Sequence, residues 1–165
     1  MGAYSIWLDL ERKSRANYRT IIYNLSRRLK SPLFEPHCTI YGRLDIQLSG
    51  LENIVSKIVH DSNQFSSSVQ KLTTGKSYYK PLYVKLENNT SLNKVNSLCK
   101  NHFINSKNYR LDPHISLAYG QFDLEQIHRV TKGIAIPKYV VFSGVSIVNT
   151  KKDVEQWETV FQRKF

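Results

Sequence analysis

One five-residue pattern occurs twice in this 165-residue chain, and any fold must satisfy it twice. Pro36-His37-Cys38-Thr39-Ile40 and Pro113-His114-Ile115-Ser116-Leu117 both read Pro-His-x-(Thr/Ser)-aliphatic, 77 positions apart. Side chains alternate between the two faces of an extended strand. Each imidazole therefore emerges beside the hydroxyl two residues on, while Cys38, Ile40, Ile115 and Leu117 point the other way into a core. The chain has five prolines and five histidines, and two of those prolines stand directly before these two histidines, which sharpens the match. The pattern predicts two strands, each presenting one imidazole and one hydroxyl to a shared side.

The surrounding periodicities supply the rest of the architecture. Ala3 to Leu8 reads as an opening strand. Ile21, Ile22, Leu25 and Leu29 form a stripe at helical spacing, predicting a helix from Arg15 to Lys30 with Ser14 as its N-cap. Ser31-Pro32 ends it, and the first motif strand runs to Tyr41. Leu51, Ile54, Val55, Ile58 and Val59 mark a second helix. Strands follow over Ser66–Thr74 and Tyr78–Leu86, where Pro81 makes the start irregular or confines it to an edge. A third helix spans Ser91–Phe103 and the second motif strand comes next. Asp123 caps a fourth helix through Lys132, and strands at Tyr139–Thr150 and Val154–Phe165 finish the chain.

The order strand, helix, Pro-His-x-hydroxyl strand, helix and strand is read twice, so residues 1–75 and 78–148 are expected to be two halves of one duplicated design. The expected fold class is α+β within one domain, 1–165. Two lobes of antiparallel sheet carry outer helices around a central cleft, and residues 154–165 complete the sheets. Helices and strands alternate too irregularly for a doubly wound parallel sheet, and its glycine-rich loop is missing.

Charge narrows the ligands. The net charge is +11, from 24 Lys and Arg against 13 Asp and Glu, which favours an anionic partner. Cys38 and Cys99 make no disulfide framework, so a reduced, cytoplasmic setting is expected. The parity of Cys38, opposite His37, speaks for packing rather than nucleophilic chemistry. No apolar run approaches a membrane span, and no signal-peptide core opens the chain.

Two facing histidines can divide labour. A neutral imidazole takes a proton from water and a charged one gives a proton to a leaving oxygen, while Thr39 and Ser116 donate hydrogen bonds to phosphate oxygens. That set suits hydrolysis of a cyclic phosphodiester and calls for no metal and no covalent intermediate. A metal site would want further ligands in phase with His37 or His114, and no Asp or Glu supplies them. A serine triad would want a glycine-flanked serine, which Ser116 is not. His60, His102 and His128 lie on predicted helices without matched partners, so surface or helix-end roles are expected. Trp157 on the last strand is expected in the core.

The two tetrads resemble the signature of the 2H phosphoesterase superfamily. The likeness extends to its plant and yeast type cyclic phosphodiesterases through Tyr4-Ser5-Ile6-Trp7, Phe34 to Ile40, Thr74 to Tyr79, Cys99 to Phe103, Pro113 to Tyr119 and Trp157 to Val160. The resemblance implies a bilobal fold around a water-filled cleft and hydrolysis of ADP-ribose 1″,2″-cyclic phosphate or nucleoside 2′,3′-cyclic phosphates, with no metal or cofactor. It carries catalysis onto His37, Thr39, His114 and Ser116, with His114 activating water and His37 protonating the leaving oxygen, roles that pH can exchange. It places a cleft hydroxyl on Tyr119, which needs a bend near Ala118-Tyr119-Gly120, and an aromatic wall for the base on Trp7, Tyr78 and Tyr79. Cys38, in place of an aliphatic, and Arg43, beyond the first motif, depart from the family pattern, a change expected at the cleft rim and not among the catalytic four. Expected partners are a small cyclic nucleotide and, alternatively, RNA ends, with a monomer and no membrane. The alternatives kept open are a 2H-type RNA-end phosphodiesterase or 2′-5′ RNA ligase, and a catalytically idle RNA-binding relative.

Overall fold

The computed structural model describes residues 3–104 and 109–165. Strand β1 (Tyr4–Leu10) leads into α1 (Arg12–Leu29), then β2 (His37–Leu44), α2 (Leu48–Asp61), β3 (Phe65–Thr74) and β4 (Leu82–Leu86). Helix α3 (Thr90–His102), β5 (His114–Ala118), α4 (Leu124–Thr131) and β6 (Tyr139–Asn149) follow, and a short 3-10 turn at Val154–Gln156 precedes β7 (Glu158–Lys164). The fold is α+β, and every strand pairing is antiparallel.

The sheet runs in the order β2-β1-β6-β3-β4-β5, and β7 pairs with β6 as well. The long β6 joins its two parts. Its Tyr139–Phe142 end pairs with Phe65–Ser68 of β3, and its Gly144–Asn149 end pairs with β7. The strand order interleaves the chain, since β6, from its second half, lies between β1 and β3 from its first. Strand β6 sits beside β1, and β3 carries β4 and β5.

Apolar stripes place the helices. Tyr18, Ile21, Ile22 and Leu25 of α1 are buried, each worth about 1.5–3 kcal/mol of transfer free energy for its aliphatic or aromatic bulk. That helix packs on β5 and α4, although it belongs to the first half of the chain. Arg28 ties it there by donating to the carbonyls of Val130 and Arg129 at 2.7 and 3.2 Å, near the end of α4. Helix α3 packs on β2, where Asn96 Nδ2 donates to the Ile40 carbonyl at 3.1 Å.

The cap of α1 corrects the sequence reading. Glu11, not Ser14, accepts the first free amides, those of Lys13 and Ser14. Ser14 is buried one turn in, and its hydroxyl accepts the Val141 amide of β6 at 3.0 Å. At α4 the expected cap holds, with Asp123 and Gln126 bonded reciprocally. Pro81 precedes β4, which is shorter than the predicted strand and begins at Leu82. No helix among the described residues is long and apolar enough to cross a membrane.

Candidate active site

Strands β2 and β5 stand at the two ends of the sheet order, yet they meet. The Cys38 thiol of one is hydrogen-bonded to the His114 backbone of the other. This contact follows from the alternation. Cys38, Ile40, Ile115 and Leu117 are fully buried, so the odd positions of β2 and the even positions of β5 turn to the opposite side. There His37, Thr39, His114 and Ser116 all line one cavity of about 420 Å³. Burial pushes the Cys38 thiol up to about 12, in keeping with a packing role.

The two imidazoles are held alike. His37 Nδ1 lies 2.7 Å from the Glu35 carbonyl and His114 Nδ1 lies 2.6 Å from the Asp112 carbonyl, in each case two residues upstream. A carbonyl only accepts, so Nδ1 must carry the proton in both rings. The neutral ring then has its lone pair on Nε2, and the charged ring has its second proton there. In each case the carbonyl belongs to the residue before the proline, a position biased toward extended backbone.

Burial pushes the His37 pKa down to about 3, with a further lowering by the charge of His114. His114 is also lowered from the ordinary imidazole value, first by burial and then by Lys80, against which the Asp112 carbonyl and carboxylate work. Lys80 is ion-paired with Asp112 and sits 4.3 Å from the centre of the Tyr83 ring. Tyr83 in turn packs edge-on against His114 at 5.4 Å.

Tyr119 reaches the cavity through the bend its parity demanded. Strand β5 ends at Ala118, Gly120 adopts φ +140°, and the buried Tyr119 is hydrogen-bonded to the Ser116 side chain. Desolvation raises its phenol pKa. Ser116 Oγ also faces the Tyr79 carbonyl at 3.4 Å.

The aromatic positions divide by their place around the cavity. Trp7 lines the cavity, with one of its faces stacked on His37. Tyr79 lines the cavity, whereas Tyr78 stays outside its lining, half-exposed and edge-on to Tyr79. Trp157, expected in the core, lines the cavity instead. Its ring stacks toward Tyr79 at 6.2 Å and meets Trp7 and Tyr119 edge-on at 5.7 and 5.6 Å. Its Nε1 donates to the Lys152 carbonyl at 3.0 Å, which fixes the ring. Ser5, Arg43, Tyr109 and Thr150 also line the cavity and were not singled out as ligand-binding from sequence. His60, His102 and His128 lie on helices outside the cavity. Among the described residues no three His, Cys, Asp or Glu side chains converge as a metal-binding group.

Residues 1–165 match a family described as cyclic phosphodiesterase-like protein. A cyclic phosphodiesterase from Arabidopsis thaliana is 21% identical over 170 residues, covering 95% of this chain and 92% of that protein. Among solved structures, E. coli LigT complexed with 3′-AMP superposes with a TM-score of 0.65 at 11% identity, over 99% of this chain and 98% of that one. TT0787 of Thermus thermophilus gives 0.68 at 12% identity, over 98% and 97%. The fold is the bilobal 2H phosphoesterase fold.

Proposed function

Because this chain belongs to the cyclic phosphodiesterase-like protein family, we propose that it hydrolyses cyclic phosphodiesters, with ADP-ribose 1″,2″-cyclic phosphate and nucleoside 2′,3′-cyclic phosphates as its substrate class. The observation that carries this reading is the matched pair of imidazoles, each anchored through Nδ1 to a carbonyl in one cavity. With Nδ1 so occupied, Nε2 is the nitrogen through which each ring exchanges protons.

In the proposed reaction, water attacks phosphorus and one ring-bond to a sugar oxygen breaks. One neutral Nε2 takes the proton from water, and the Nε2–H of the other, charged ring protonates the departing oxygen, so one proton on the pair is used and regenerated in each turnover. Thr39 and Ser116 donate to the non-bridging oxygens as negative charge builds there, and Tyr119 supports Ser116. Proton transfer and charge stabilisation are both supplied by side chains, so the reaction proceeds without metal or cofactor. Tyr79 and Trp157 form the aromatic wall for a nucleobase.

The test is to incubate the protein in EDTA with both substrates and to identify by phosphorus NMR which ester bond has opened. Ring-opened monoester is expected, and a folded protein that opens neither substrate contradicts the proposal.

A second reading, action on RNA ends, draws on one observation. Lys71 pairs with Lys85, Lys85 pairs with His114, and Lys85 and Arg110 line a groove beside Asp112-Pro113. Inhibition by short RNA oligomers, steeply weakened by salt, would favour it.

A further inference from the structure

Past Thr39 the cavity continues along β2 to Arg43, and this end is shaped by an irregularity in strand pairing. Trp7 pairs with Thr39, but Ile6 pairs with Tyr41 and Tyr4 with Leu44, so β2 carries extra residues against β1 at two places. The alternation breaks accordingly. Ile40 and Tyr41 both enter the core, and Gly42 and Arg43 both line the cavity.

Arg43 has φ 60°, a left-handed conformation that a side-chain-bearing residue adopts reluctantly. Among the described residues it has no ion pair with a carboxylate, and no acidic residue lines the cavity. Lys80, the other lining residue of fixed positive charge, is paired with Asp112. The neighbours of Arg43 carry hydroxyls. Ser5 Oγ and the Tyr109 ring lie near Gly42, the residue before Arg43, where an added Cβ would sit 3.7 and 3.6 Å from them, and the charge of Arg43 works against the burial that raises the Tyr109 pKa. A guanidinium fork beside hydroxyls in a carboxylate-free cavity is suited to phosphate oxygens.

We infer that Arg43, with Ser5 and Tyr109, forms a second phosphate subsite, which takes a non-cyclic phosphate group carried by the same substrate molecule. Arg43 lies four residues beyond Thr39 on β2, and both line the same cavity. The subsite makes Arg43 specificity-determining: it favours substrates that bear a further phosphate over simple nucleoside cyclic phosphates. This inference rests on the hydrolytic reading above.

The experiment compares kcat/KM of wild type, Arg43→Gly and Arg43→Lys on three substrates. These are a nucleoside 2′,3′-cyclic phosphate, ADP-ribose 1″,2″-cyclic phosphate, and a dinucleotide ending in a 2′,3′-cyclic phosphate. Glycine suits φ 60°, so Arg43→Gly removes the charge without straining the fold. The expected result is that Arg43→Gly lowers the ratio of kcat/KM between a two-phosphate and the one-phosphate substrate by about tenfold or more, chiefly through KM, and that Arg43→Lys restores part of it. Whether the pyrophosphate or the internucleotide phosphate substrate shows the change identifies the source of the phosphate. An unaltered ratio on both overturns the subsite while leaving hydrolysis intact. No turnover of any substrate by wild type overturns the hydrolytic reading and the subsite with it.

Discussion

The Trp7 indole lies flat on the His37 imidazole, ring centres 3.4 Å apart and planes within 5°. Trp7 comes from β1 and pairs in register with Thr39, two pairs away from Asp9 and His37. Together with the Nδ1–H bond to the Glu35 carbonyl, the stack leaves His37 one orientation. It also covers one face of the imidazole, whose pKa burial lowers.

Trp7→Leu should therefore act through His37. Water gains access to one face of the imidazole, so its pKa moves up toward the ordinary value and kcat falls by about tenfold or more as the ring loses its fixed aim. Imidazole proton resonances followed by NMR against pH check the first part, and steady-state kinetics the second. An unmoved His37 titration would count against the supporting role.

The pH dependence has a defined sign. Productive free protein holds one proton on the pair, and both imidazoles have lowered affinities, His37 to about 3. That proton is lost as pH rises through the higher of the two values, which belongs to His114 and lies below the reference of about 6.5. Consequently kcat/KM should decline with rising pH over a range displaced to the acid side of an ordinary histidine. A bound anionic phosphate favours the charged ring, so the limb of kcat should lie at higher pH than that of kcat/KM.

Lys80 offers an independent handle on the same limb. Its charge lowers the His114 pKa, while the Asp112 carboxylate it neutralises works the other way. Lys80→Met removes the first and unmasks the second, so both changes raise the His114 pKa. The descending limb of kcat/KM should move to higher pH, with a parallel change in the His114 NMR titration.

Gly120 is a backbone constraint on the site. At φ +140°, in a region that favours glycine, it turns the chain just after Tyr119, and an added Cβ would lie 2.6 Å from the Phe122 ring. Gly120→Ala should cost on the order of 1–3 kcal/mol in denaturant unfolding and weaken turnover by misplacing the Tyr119 hydroxyl next to Ser116. Tyr119→Phe separates the two effects, since it removes the hydroxyl without touching the bend.

The site was legible in the sequence to the extent that it rests on strict alternation. His37, Thr39, His114 and Ser116 share a cavity because Cys38, Ile40, Ile115 and Leu117 must be buried, and a period-two pattern states both facts together. Arg43 stood out only as a departure at the cleft rim, because its direction depends on where β2 slips against β1, which no single strand's pattern records. Trp157 escaped for a related reason. It stands in extended chain between the 3-10 turn and β7, so the rule that places strand aromatics in a core did not apply, although the Trp157-to-Val160 stretch was itself part of the family resemblance. Ser14 looked like a cap because its neighbours have helical spacing, whereas the helix begins three residues before the expected start and Glu11 accepts its first free amides, those of Lys13 and Ser14. The strand order was hidden most deeply, since pairing β1 with β6 joins residues more than 130 positions apart.

The central claim is that His37 and His114 act together on one phosphate, and single-turnover kinetics of His37→Ala, His114→Ala and the double variant test it most directly. Each single substitution should slow ring opening by about 10² or more with the far-UV circular dichroism unchanged, and the double should be far less severe than the product of the two, because both groups serve one step. A folded single variant that opens the cyclic phosphodiester within a few-fold of the wild-type rate would contradict the account.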